Sequence, residues 1–87
     1  MATGGIDSVC AMMRRGIEFL KREIKQKETQ IGILTARLQK LQSQPTADAT
    51  IVKEIRDDIA KLENELVTDR AQLSAFEDEV SASCPPA

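Results

Sequence analysis

Gln42-Ser43-Gln44-Pro45-Thr46-Ala47-Asp48-Ala49-Thr50 divides this chain in two. Pro45 has no backbone N–H to donate, and it disfavours helical geometry at Gln44. Thr46 and Asp48 are residue types whose side-chain oxygens cap helix N-termini. The stretch therefore ends one helix and begins another, and what flanks it decides how the two lie.

Outward on the N-terminal side runs an apolar stripe at steps of three and four. It comprises Cys10, Met13, Ile17, Leu20, Ile24, Lys27, Ile31, Leu34, Leu38 and Leu41. Outward on the C-terminal side runs a second, of Val52, Ile55, Ile59, Leu62, Leu66, Asp69, Leu73, Phe76, Val80 and Ser83. Alternating steps of three and four make the seam of a coiled coil. The two stripes match if the chain folds back on itself. Facing positions then add to 93, as in Leu41 with Val52, Leu34 with Ile59, Leu20 with Leu73 and Met13 with Val80. The expected fold is all-α, an antiparallel two-helix coiled-coil hairpin able to dimerise into a four-helix bundle.

Lys27 and Asp69 are the only charged residues in the stripes. They fall in neighbouring layers, and Lys27 is long enough to lean toward Asp69. A buried charge is costly unless paired, and its best-attested use in a helical seam is to fix register. They are therefore expected to be a buried polar register pair and not a catalytic one. The arms also differ in charge. Residues 14–44 hold eight basic and three acidic side chains, and residues 51–80 hold four basic and nine acidic. Opposite arms favour the intrachain antiparallel pairing over a parallel pairing of identical helices. Arg14 with Glu77, Glu28 with Arg70 and Arg37 with Asp58 are the expected flanking pairs.

One cysteine lies on each arm. Cys10 and Cys84 would meet at the open end of the hairpin, making them a disulfide candidate. Such a bridge would suggest an oxidising compartment. No signal peptide is visible at the N-terminus, which lacks a basic segment followed by an apolar one, and the compartment stays open. The expected organisation is a disordered, Gly-rich N-terminus over residues 1–6 and one domain over 7–84, followed by a tail at 85–87. Within the domain a helix spans about 8–42, a loop about 43–49 and a helix about 50–82, with Asp7 or Ser8 as the first cap.

Composition excludes more than it assigns. There is no His, Trp or Tyr, which removes the usual general base and metal ligand near neutral pH. No metal-ligand spacing or phosphate-binding glycine pattern occurs. Catalytic, cofactor-binding and metal-binding residues are thus expected to be none, with no small-molecule substrate evident, and the protein is expected not to be an enzyme. No apolar run approaches the ~20 residues of a membrane span. A net charge of −2 and a pI of about 5.1 argue against nucleic acid as a partner.

A lone two-helix hairpin buries little, so it needs help from a bridge or from association. Met12, Phe19 and Ile33 lie off the main stripe at one heptad position, with Gln26 between them. Ala60, Val67, Ala71, Ala75 and Ala82 form a second face on the other arm. Gly16 and Gly32 either weaken the first helix or let another helix come close. Met12, Phe19, Ile33 and Val67 are the partner-binding candidates, for self-association or another protein's helix. The leading expectation is a non-enzymatic protein–protein interaction or structural module. Two alternatives are a secreted disulfide-stapled helical peptide (inhibitor, toxin or antimicrobial) and a coiled-coil factor binding RNA or the transcription machinery.

Overall fold

Two helices joined by a six-residue turn, residues 43–48, account for nearly all of the computed structural model, which describes residues 5–86. Helix α1 spans Gly5–Gln42 and helix α2 spans Ala49–Ser83. They run antiparallel and pack along their length, giving a rod of 69 × 17 × 14 Å. The all-α helical hairpin is as the stripes require.

The turn forms for local reasons. At the end of α1, the Ser43 amide donates to Gln39 O at 3.2 Å and the Gln44 amide to Leu41 O at 3.1 Å. The Ser43 hydroxyl donates to Lys40 O at 2.7 Å. These bonds satisfy carbonyls that the helix end leaves without partners. Of the two candidate caps for α2, Asp48 takes the role. Its backbone is extended (φ −72°, ψ 118°) and its carboxylate accepts from Thr50 N at 2.8 Å. At the far end, the Cys84 amide donates to Val80 O at 3.0 Å, and the chain leaves the helix there.

The start of α1 differs from expectation. The described part of the helix already includes Gly5, upstream of both Asp7 and Ser8, so neither is its cap. Acidic and hydroxyl residue types suit the first turn as well as the cap itself, because backbone donors stay open through the whole turn. Residue type alone therefore did not separate the two positions. Of the expected disordered segment, Gly5 and Ile6 are helical, and residues 1–4 lie outside the described residues.

The core is the seam. Cys10, Ile17 and Leu20 on α1 and Ile55 and Leu66 on α2 are buried. The other stripe residues are half-buried, save Phe76 and Ser83, which are exposed. Five buried residues make a thin core, as a two-layer rod must have. Gly32 has open space around it, so no helix within the chain approaches there. At Gly16 an added Cβ would lie 3.9 Å from the Phe76 ring, which is ordinary contact.

Candidate functional site

Three features of the rod have chemistry beyond simple packing: its bridged end, a charged cluster at mid-seam, and a row of exposed apolar side chains.

Cys10 and Cys84 are joined by a disulfide, with Cα atoms 5.8 Å apart. Cys10 is 2 % exposed and belongs to the core. Cys84 is half-buried and ends α2. Beside the bridge the Arg14 guanidinium donates to the Pro85 carbonyl. Arg14 thus holds the chain just beyond the bridge, in place of the expected ion pair with Glu77.

At mid-seam, Lys27 Nζ donates to Asp69 Oδ2 at 2.7 Å and lies 3.5 Å from Glu65 Oε1. The two carboxylates come from successive turns of α2, so both can face one ammonium. Hydrogen bonding to Asp69 is the main cause holding the Lys27 ammonium above its ordinary pKa of 10.5, against partial desolvation. The ammonium therefore stays charged throughout the physiological range. This suits a structural tie and makes Lys27 a poor nucleophile or base. Glu65 was not anticipated from the stripes. It sits next to the seam, where position alone does not say which way a long side chain leans.

Of the three flanking pairs expected, Glu28 with Arg70 forms, at 2.8 Å. Arg37 and Asp58 make no ion pair among the described residues. The remaining exposed pairs run along single helices: Lys21 with Glu18 at 3.5 Å and Lys53 with Asp57 at 2.9 Å.

The partner-binding candidates Met12, Phe19, Ile33 and Val67 are all exposed, at 68, 55, 63 and 68 %. They do not share one face. Ile33 lines a shallow groove with Gln30, Leu34, Asp58, Lys61, Leu62 and Glu65. Val67 lines another with Glu28, Ile31, Glu63, Leu66 and Arg70. The two grooves flank opposite sides of the same seam. Met12 and Phe19 occupy the heptad position of Ile33 and fall on its flank, and Val67 lies on the opposite one. The exposed row on α1 therefore stands without Val67. Exposed Val9 and Phe76 add apolar surface near the bridge.

No helix of the described chain is long and apolar enough to cross a membrane. Among the described residues, no group of three or more His, Cys, Asp or Glu could hold a metal ion. No protein-family model, curated protein or solved structure matches the chain.

Proposed function

We propose that this protein is a non-enzymatic interaction module: a bridged, heptad-seamed hairpin that presents one flank to another protein helix. The observation that carries this reading is the row Met12, Phe19 and Ile33, exposed together on one flank of a rod whose surface is otherwise mainly charged or polar. Single exposed apolar residues are ordinary, but several large ones at one helical position mark an association surface. An apolar row at heptad spacing suits the groove of a partner helix. The bridge and the mid-seam cluster then serve rigidity, which reduces the ordering cost of binding.

Immobilised hairpin used to capture proteins from its source extract tests this. Phe19→Ser with Ile33→Ser should abolish capture and leave the far-UV circular dichroism unchanged. Equal capture by the variant would refute the reading.

The bridge favours a second reading, a disulfide-stapled secreted peptide acting on an external target. It requires an encoded leader and a native mass lower by two hydrogens than that of the dithiol. Free thiols in freshly lysed source cells would remove it.

A further inference from the structure

We propose that the occupant of the Met12–Phe19–Ile33 flank is a second copy of this chain. The two-fold axis runs along the rod, so that α1 of each copy lies across α2 of the other. The proposal rests on the reading of that flank as a docking surface and names its partner.

The flank has a size pattern that fits itself. Ile33 and Lys61 share one groove. Stepping one heptad at a time toward the bridge on both helices pairs Gln26 with Thr68, then Phe19 with Ala75, then Met12 with Ala82. All of these residues are exposed. Two levels set a large apolar side chain of α1 against a small one of α2, and one sets an amide against a hydroxyl. At the last level Ile33 meets the aliphatic stem of Lys61. Within one copy the two rows stand side by side and do not fill each other. A two-fold along the rod preserves the levels and exchanges the helices. Phe19 of each copy then falls on Ala75 of the other, and Met12 on Ala82. Interdigitation of large with small is what close packing between helices needs.

Charge selects the same axis. Helix α1 holds eight basic and four acidic residues, and α2 holds four basic and nine acidic. Placing α1 across α2 alternates the signs around the bundle. A two-fold perpendicular to the rod would set α1 on α1 and basic on basic. Arg37 and Asp58 add a specific instance. They stand one heptad beyond Gln30 and Glu65, which line the same groove. Neither makes an ion pair within the chain among the described residues. Across the proposed axis each Arg37 meets Asp58 of the other copy. The paired levels from Met12 to Arg37 take up about 38 Å of α1, over half of the 69 Å rod.

Light scattering on the oxidised protein should give twice the 9.6 kDa chain mass. Phe19→Ser should give the single mass with helicity retained, because Phe19 lies off the seam stripe and is exposed. Arg37→Asp and Asp58→Arg should each weaken self-association about tenfold, through like charges at two symmetric contacts. Mixing these two variants should restore wild-type affinity as a heterodimer. Mixing cannot repair a pair made within one chain, so recovery identifies the contact as intermolecular. A wild-type protein that stays monomeric at every accessible concentration would overturn the second copy as occupant. So would variants that show no preference for each other. Loss of capture by Phe19→Ser alongside a monomeric wild type would retain the docking flank and reject this occupant.

Discussion

Cys10 and Cys84 are 74 positions apart in sequence and are bonded at the end of the rod opposite the turn. The hairpin is therefore closed at both ends, by six residues at one and by two sulfurs at the other. Helix ends fray first, and here the free ends of both helices are tied together.

Losing this tie should be the most damaging single change. For a loop of this length, the chain-entropy estimate of its contribution is about 4.5 kcal/mol. Cys84→Ser, or full reduction, should lower the melting temperature by roughly 20–30 °C in a domain of this size. Thermal melts followed at 222 nm, with and without a reductant, measure it. A shift of only a few degrees would mean that the unfolded chain gains little freedom when the bridge opens.

Asp48 is the cap of α2, through its carboxylate on the Thr50 amide. Asp48→Ala should cost about 1 kcal/mol, and Asp48→Asn or Asp48→Ser only a fraction of that. Urea titration of the three variants resolves the order. Thr46→Ala should change little, since the other candidate cap is not the one used.

Gly32 has no neighbour for an added Cβ to meet. Gly32→Ala should therefore stabilise the protein by about 0.5–1 kcal/mol, through helix propensity and a less free unfolded chain. Denaturant midpoints decide it. A destabilised variant would reveal a close approach that the isolated chain does not contain.

Lys27 has a pKa raised above 10.5, first by its hydrogen bond to Asp69. A group held more basic in the folded state stabilises that state fully below the unfolded pKa. The contribution is lost as pH rises through the folded value. Melting temperature should thus hold steady up to about pH 10 and fall above 10.5. Lys27→Met should flatten that fall in part only, because Lys53 is raised in the same direction by Asp57. An unchanged alkaline limb in Lys27→Met would show that the cluster contributes nothing to stability.

The same cluster predicts a non-additive pair. Asp69→Leu leaves the Lys27 ammonium in the seam with Glu65 as its remaining partner, and should lower the melting temperature. Lys27→Leu with Asp69→Leu should recover it or exceed wild type, as apolar replacement of seam charges commonly does. Light scattering on the double variant would then show whether one register survives without the polar marker.

How much of this was legible in the sequence depends on the distance from the seam. Seam positions follow from period alone, because an apolar residue every three or four positions has one place to go. That is why Cys10, Ile17, Leu20, Ile55 and Leu66 emerge as the core, and why the two cysteines could be paired. At the rim the rule weakens. Arg14 is long and has several partners of similar worth, each under ~1 kcal/mol, so its choice of Pro85 over Glu77 leaves no trace in spacing. Glu65 joins Lys27 for the same reason. The grouping of Val67 with Ala71, Ala75 and Ala82 failed in another way. Val67, Ala71 and Ala75 are spaced by four, and each such step turns about 40° round a helix, so a row that reads as one stripe winds from one flank to the other.

The arrangement of the turn and the bridge also sets what happens when the backbone is cut. A protease acting between Ser43 and Asp48 would open the chain without releasing either half. The nicked species would keep its mass plus one water, run as one band without reductant and separate into two fragments with it. Cleavage at that tip would turn a folded single polypeptide into a covalent heterodimer whose paired surfaces remain in place.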